Sequence, residues 1–210
     1  LVAGRGKIVG PHQVSVNGRE ISGETILVAT GGTPNIPNIP GLRQYAITST
    51  QALDLNNLPD RIIVYGAGYI ALEFAGIFNG FGSEVHLVYR GDLPLRGFDD
   101  DIRQHMAEAL VNRGIHIHHG ETVTAVRQDK KQLAVELSDS QVILSDQILA
   151  ATGRVPNTQG LGLETAGVKM TDREAICVDN NSRTNINSIF AVGDVTDRIN
   201  LTPVAIAEGH

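Results

Sequence analysis

The sequence RIIVYGAGYIALEFAGIFNGFGSEVHLVYR, residues 61–90, decides the fold predicted for this chain. An apolar run at 61–65 is followed by two glycines, by a helical pattern to about Phe81, and by a second apolar run that ends at Tyr89. Two short buried strands separated by a helix are typical of a βαβ unit, in which the strands run parallel. We therefore expect an α/β fold built around these residues.

The turn after the first strand has the pattern G-x-G-x-x-A over residues 66–71. Gly66 permits a tight turn, Gly68 lets a pyrophosphate approach the backbone, and Ala71 is small enough for close packing of the helix on the sheet. The amino terminus of the helix then faces the phosphates. A turn that serves packing alone could have the same glycines, but the strand, turn and helix context favours dinucleotide binding.

The second strand is followed by Arg90, about 24 residues after Gly66, where NAD-binding units usually have an acidic residue. A guanidinium cannot accept from ribose hydroxyls but suits a 2′-phosphate, and Arg96 supplies a second cation. Two contacts of roughly 1.5–3 kcal/mol each would favour NADPH over NADH by about a hundredfold or more. The alternative is two solvated arginines, and Asp92 could pair with either of them.

A second set of signals is compatible with a flavin. The apolar run at 188–192 ends in Gly193-Asp194, where a carboxylate can accept hydrogen bonds from a polyol. Thr202 and Pro203 predict a helix start, with threonine as the cap and proline at the first position, whose positive end could stabilise a reduced flavin. Gly31 follows an apolar run at 25–30 and permits close backbone approach, although such a glycine also occurs in simple turns.

The other predicted elements flank the βαβ unit. Residues 1–33 should form short strands joined by glycine turns, and the proline-rich segment 34–41 should be a connector. A helix should begin at the acidic run 99–101 and stop at Gly114, with Arg103 on its solvated face. Further strands are expected at 115–119, 122–127, 132–137, 142–150 and 175–178.

Composition and charge exclude several classes of protein. The net charge of −6 argues against a nucleic-acid partner, and no apolar run is long enough to predict a membrane partner. Cys177 is the one cysteine, which suits a reducing compartment such as the cytoplasm and predicts a structural role for its thiol. The chain begins without methionine and stops soon after a helix begins at Thr202, so we expect it to be part of a longer protein.

The histidines at 116, 118 and 119 raise the question of a metal site. His116 and His118 would share one face of a strand, but the sequence indicates no third ligand beside them. We therefore predict exposed strand histidines and no metal site.

Six motifs in this order resemble those of the pyridine nucleotide–disulfide oxidoreductases, and the resemblance covers essentially the whole chain. Four match the family at large, and two are similar to its glutathione reductase branch. The four family motifs are ATGG at 29–32, GAGYIALE at 66–73, ATGRVPN at 151–157 and FAVGD at 190–194. The two motifs similar to the glutathione reductase branch are RGDLPLRGFD at 90–99 and LTPVA at 201–205.

The resemblance implies a fold with two dinucleotide-binding domains. Residues 34–156 would form a Rossmann-like NADPH-binding domain, inserted in a partial FAD-binding domain made of residues 1–33 and 157–210. Tyr69 would be the gate that covers the flavin until nicotinamide displaces it. Glu73 would lie near flavin and nicotinamide, held by a lysine that this sequence lacks. The other implied contacts are Ala67, Ile70 and Gly153 with NADPH, Arg90 and Arg96 with its 2′-phosphate, and Gly31, Asp194 and Thr202 with FAD.

The resemblance also implies an activity for the complete protein. Hydride would pass from NADPH to FAD, and electrons would then pass to a redox-active cysteine pair and to glutathione disulfide, in a homodimeric enzyme of cell redox homeostasis. The cysteine pair of that family is not found in residues 1–210. We therefore expect this chain alone to be inactive. The alternatives are a sibling reductase with another disulfide substrate and a non-catalytic NADPH-binding module.

Overall fold

A computed structural model describes residues 1–210 and divides them into two compact units. One unit comprises residues 1–33 and 154–210, and the other comprises residues 34–153. The boundary between these units at 153 and 154 differs by three residues from the domain boundary predicted at 156 and 157, and the assignment of the domains to NADPH and FAD stays a prediction. No helix has the length and apolar character needed to cross a membrane.

The chain forms fourteen strands, five α-helices and one 3₁₀-helix. The strands are β1 (Gly6–Gly10), β2 (Gln13–Val16), β3 (Arg19–Ser22), β4 (Ile26–Val28), β5 (Gly32–Pro34), β6 (Arg61–Tyr65), β7 (Glu84–Tyr89), β8 (His116–His119), β9 (Val123–Asp129), β10 (Gln132–Leu137), β11 (Val142–Ser145), β12 (Gln147–Ala150), β13 (Arg154–Pro156) and β14 (Ile189–Ala191). The helices are α1 (Leu42–Tyr45), α2 (Ser49–Ala52), α3 (Tyr69–Gly80), α4 (Asp100–Asn112) and α5 (Thr202–Gly209), and the 3₁₀-helix is Gly193–Thr196.

The unit of residues 34–153 is built on a parallel sheet of four strands in the order β12-β6-β7-β8. Helices α3 and α4 follow β6 and β7, as the sequence predicts. Ile62 and Val64 of β6 belong to a core cluster that includes residues of both helices. Ile63, between them, belongs to a second cluster with residues of the antiparallel sheet β11-β10-β9. Because successive strand residues point to opposite faces and both faces of the sheet are covered, β6 is apolar from Ile62 to Tyr65.

The predicted strand at 142–150 is two strands that belong to different sheets, β11 and β12. Asp146 separates them, and its backbone N–H donates to the carbonyl of Arg61 over 3.0 Å. Its carboxylate also accepts from the backbone N–H of Arg61 over 2.8 Å. These bonds tie Asp146 to the start of β6, where the chain leaves the antiparallel sheet for the parallel one.

The unit of residues 1–33 and 154–210 contains an antiparallel sheet β1-β2-β3 and two pairs, β14 with β4 and β13 with β5. Ile8, Val28 and Ile189 lie in its core. The prediction of a strand at 175–178 is wrong, because only a single bridge joins Ile176 to Met170. Cys177 is half-buried in this irregular segment.

Candidate functional site

The turn that follows β6 closes tightly at Gly66. This residue is buried, its φ is 131°, and its N–H donates to the carbonyl of Val88 over 2.9 Å. A Cβ at this position would lie 2.2 Å from the carbonyl oxygen of Ala151. The backbone conformation and the close approach therefore both require glycine.

Gly68 has open space around it. It is the exposed amino-terminal cap of α3, with an ordinary φ of −76°, and a Cβ there would meet no atom within 4 Å. The first backbone N–H groups of a helix have no partner within the helix, and the first turn of α3 contains no acidic side chain to neutralise them. The space and the unneutralised helix end fit the pyrophosphate of a dinucleotide.

The side chains at the start of α3 divide between core and surface. Ala71 is fully buried beside Ile62 and Val64, so the helix lies close to the sheet at this point. Ala67 and Ile70 are half-buried against the same core. The predicted gate Tyr69 is 44% exposed, and Glu73, one turn later, is exposed as well.

The loop after β7, which contains both predicted 2′-phosphate ligands, is hydrogen-bonded to the glycine turn, and the N–H of Gly66 donates to the carbonyl of Val88, two residues before Arg90. The N–H of Leu95 donates to the carbonyl of Ala67 over 2.8 Å, which fixes Arg96 beside the turn. Arg90 and Arg96 are exposed, and neither forms an ion pair or a side-chain hydrogen bond. Asp92 is not paired with either of them, so both guanidinium groups are available to an anionic ligand.

Arg103 has a role that the sequence did not reveal. We expected it on a solvated face, but its side chain is only 21% exposed. Its guanidinium donates to the carbonyls of Pro94 and Leu93 over 2.8 and 3.2 Å and pairs with Asp100 over 2.6 Å. Arg103 therefore holds the loop of residues 90–99, which we call the arginine loop, to α4. The sequence could not show this contact, because its acceptors are backbone carbonyls whose positions depend on how the loop folds.

Gly153 follows β12 at the same carboxyl edge of the sheet as the glycine turn. It is exposed with a φ of 117°, and a Cβ there would meet no atom within 4 Å. Its carbonyl accepts from the N–H of Asn35 over 2.9 Å. Backbone at this position is thus open to a ligand lying along the edge.

Gly31 and Asp194 lie at the ends of the paired strands β4 and β14 in the other unit. Gly31 is half-buried with a φ of 67° and has no atom within 4 Å of its Cβ position. The Asp194 carboxylate is 25% exposed, and its Oδ2 lies 3.8 Å from Nε of Arg154. Arg154 also donates to the carbonyl of Gly32. Arg154, which the sequence did not single out, therefore positions a carboxylate that can accept from a polyol.

Helix α5 begins at the predicted place, but its cap differs from the prediction. Leu201 is the cap residue, no side chain caps the helix, and Thr202 and Pro203 occupy its first two positions. Glu208 secures the helix to the Gly-Asp turn, because its carboxylate accepts from the N–H of Gly193 over 2.7 Å. It also pairs with Arg198 over 2.9 Å.

Replacing Glu208 should loosen this turn. Glu208→Ala leaves the buried N–H of Gly193 without its acceptor, so we expect the free energy of unfolding to fall by about 1–3 kcal/mol. Glu208→Gln keeps an oxygen acceptor and should cost less. Urea unfolding of the two variants measures the difference. An equal loss in both would assign the effect to the ion pair with Arg198 instead.

A parallel sheet with a glycine turn at the end of β6, and a helix whose amino terminus opens on that turn, define a Rossmann-like dinucleotide-binding protein. The family model described as "Pyridine nucleotide-disulphide oxidoreductase" matches residues 1–209. The chain belongs to this family. The α/β fold class and the family predicted from the motifs are thereby confirmed.

Several relatives are similar to the whole chain. It is 49% identical over 210 residues to a glutathione reductase of Burkholderia cepacia and spans 46% of that protein. It is 37% identical over 213 residues to a mercuric reductase of Staphylococcus aureus and spans 39% of that protein. Among solved structures, the HOCl-induced flavoprotein disulfide reductase RclA from Escherichia coli matches 99% of this chain and 48% of its own, with a TM-score of 0.93 and 33% identity.

These similarities establish the function of the chain at the level of its family. The relatives are oxidoreductases, and the chain is part of the flavoprotein disulfide reductase family. The predicted cofactors, NADPH and FAD, are confirmed at the level of the family, because its glutathione reductases use both. The chain spans less than half the length of the glutathione reductase and the mercuric reductase that it matches, and these two relatives differ in substrate.

Proposed function

We propose that the chain is the NADPH-binding portion and part of the FAD-binding portion of a glutathione-disulfide reductase. The observation that carries the proposal is the pair of exposed, unpaired guanidinium groups of Arg90 and Arg96 beside the glycine turn. Two cations at this place suit the 2′-phosphate of NADPH and cannot accept from the ribose hydroxyls of NADH.

Residues 34–156 form the NADPH-binding domain in this proposal. Gly66, Ala67, Gly68, Ile70 and Ala71 shape the turn that receives the pyrophosphate, and Gly153 offers open backbone at the same sheet edge. Their support is the open space around Gly68 and the unneutralised start of α3. We assign the exposed Tyr69 to gating the nicotinamide and Glu73 to a place beside it.

Residues 1–33 and 157–210 contribute to the FAD-binding domain. The Asp194 carboxylate accepts from the hydroxyls of the ribityl chain, and Arg154 holds it in place. Gly31 offers close backbone contact, and Thr202 lies at the amino terminus of α5, where the helix dipole favours negative charge. When bound, the cofactors supply hydride transfer from NADPH to the flavin, and the protein supplies binding and orientation.

Glutathione disulfide is the substrate that we propose for the complete protein. Support comes from glutathione reductases of three organisms, which are 46–49% identical to the chain over its full length. A trypanothione reductase is 42% identical and the mercuric reductase 37% identical. Mercuric ion and trypanothione disulfide are therefore the alternative substrates. We also propose that the complete protein is a homodimer. We place it in a reducing compartment such as the cytoplasm, because the thiol products of a disulfide reductase stay reduced there.

The substrate proposal is tested on the full-length protein that contains this chain. NADPH oxidation is followed with glutathione disulfide, trypanothione disulfide and Hg²⁺ as alternative substrates. We expect kcat/KM for glutathione disulfide to exceed that for the other two by at least about tenfold. A higher value for another substrate would replace glutathione disulfide, and no turnover of any disulfide would favour a binding module.

A further inference from the structure

A cluster of imidazoles lies on the parallel sheet of residues 34–153, away from the glycine turn. Strands β7 and β8 pair in parallel with His86 opposite His116 and Val88 opposite His118. The ring of His86 stacks on His116 with 4.7 Å between centroids and on His118 with 5.2 Å. Glu84, two residues before His86, points to the same face. We call Glu84, His86, His116 and His118 the histidine cluster.

Three atoms of the histidine cluster converge on one point. Oε1 of Glu84 lies 3.0 Å from Nε2 of His86 and 3.9 Å from Nε2 of His116. One atom of each of these residues lies within 4.8 Å of the other two. A metal ion bound at about 2.0–2.2 Å by tetrahedral nitrogen and oxygen ligands separates them by roughly 3.3–3.5 Å. The observed spacings reach this range with side-chain shifts of less than about 1 Å.

The second carboxylate oxygen of Glu84 and the second ring nitrogen of His86, which would not bind the ion, already have hydrogen-bond partners. Oε2 of Glu84 accepts from Nε of Arg61 over 2.8 Å, which leaves Oε1 free to turn toward the imidazoles. Nδ1 of His86 lies 2.9 Å from Nε2 of His118. Metal-binding histidines usually have such a partner on the second ring nitrogen, because it fixes the ring and the tautomer.

The hydrogen bond between His86 and His118 lets His86 change tautomer when an ion binds. In the metal-free chain Nε2 of His86 donates to the Glu84 carboxylate, so Nδ1 accepts from Nε2 of His118. When Nε2 of His86 binds an ion, the bond to His118 reverses and Nδ1 becomes the donor. The proton of His118 Nε2 then passes to Nδ1 of His86, and Nδ1 of His118 takes up from solvent a proton in place of the one that His86 Nε2 releases, so both imidazoles stay neutral.

The electrostatics of the histidine cluster favour neutral imidazoles and an ionised carboxylate. Burial lowers the pKa of both His86 and His118, and hydrogen bonds from Arg61 and His86 lower the pKa of Glu84. Arg61 is the opposing cation, while Asp139 and Glu121 place negative charge near His118. The side chain of His116 is 56% exposed and gives an ion access from solvent.

We propose that Glu84, His86 and His116 bind a divalent transition-metal ion, with His118 as a positioning residue. Two imidazole nitrogens and one carboxylate oxygen suit Zn²⁺ and Cu²⁺ and not Mg²⁺ or Ca²⁺, and the affinity should be highest for Cu²⁺. This site lies at the amino-terminal part of β7, whereas Arg90 follows the carboxyl end of the same strand. Metal binding is therefore separate from nucleotide binding.

Isothermal titration of the 210-residue chain with Zn²⁺ and with Cu²⁺ tests the proposal. A Cys177→Ser background removes the thiol as a competing ligand. We expect one site that loses at least about tenfold in affinity in the His86→Gln/His116→Gln variant. His119→Gln is the matched control, because His119 ends the same strand β8 but contributes no atom to the site, and its affinity should equal that of the background chain.

A spectroscopic measurement keeps the test independent of folding. The Cu²⁺-loaded chain should show hyperfine coupling to two imidazole nitrogens, and His116→Gln, a change at an exposed position, should reduce this to one. His118→Gln should weaken binding without changing the nitrogen count, since His118 acts through His86. Equal affinity in the background chain and the double variant would overturn the proposal, as would retention of two coupled nitrogens in His116→Gln.

Discussion

Arg90→Glu combined with Arg96→Ala is expected to abolish a preference of the chain for NADPH over NADH. In the wild-type chain both guanidinium groups are exposed and unpaired, and they lie on a loop whose backbone is bonded to the glycine turn. Two charge-assisted contacts to a 2′-phosphate should together favour NADPH by about a hundredfold or more. Fluorescence titration of both nucleotides with wild type and variant gives the ratio of the two dissociation constants.

We attribute the expected preference for NADPH to local contacts of Arg90 and Arg96. A matched variant tests whether long-range charge contributes to it. Arg113→Glu reverses an exposed arginine at the end of α4, away from the arginine loop, and should leave the nucleotide preference unchanged. Raising the ionic strength screens distant charges with a Debye length of about 10 Å at 0.1 M. If wild-type chain bound NADPH and NADH equally, the role given to Arg90 and Arg96 would be wrong.

The sequence predicted the βαβ unit closely because both faces of β6 are covered. An uninterrupted apolar run, two glycines and a helical pattern admit few other structures, and β6, α3 and β7 lie where these patterns place them. The same logic failed at residues 142–150, where an apolar run also predicts one strand. Asp146 divides that run through bonds to Arg61, which is 85 residues away, so no local pattern reports the division.

The site residues were predictable to the extent that their chemistry is local. Arg90 and Arg96 follow a strand whose end could be predicted, so their place beside the turn could be inferred. Arg103 could not, since its partners are backbone carbonyls of a folded loop. His86 and His116 lie on different strands, and only the register of β7 with β8 brings them together. The sequence therefore showed the histidines of one strand without their partners from the other.

The two glycines of the turn should separate folding from binding when each is changed to alanine. At Gly66 the added Cβ would lie 2.2 Å from a backbone oxygen, and the φ of 131° is strained for any L-residue. Strain and overpacking each cost roughly 1–3 kcal/mol, so Gly66→Ala should lower the free energy of unfolding by about 3 kcal/mol or more. Urea unfolding of the 210-residue chain measures this loss.

Gly68→Ala is the matched variant at the other glycine. Its φ is ordinary and its Cβ meets no atom within 4 Å, so the free energy of unfolding should change by no more than about 1 kcal/mol. The methyl group instead enters the open space at the start of α3, where we place the pyrophosphate. NADPH affinity should fall by at least about tenfold in a fully folded chain. Unchanged affinity in Gly68→Ala would show that the nucleotide does not approach this backbone, whatever the stability of Gly66→Ala.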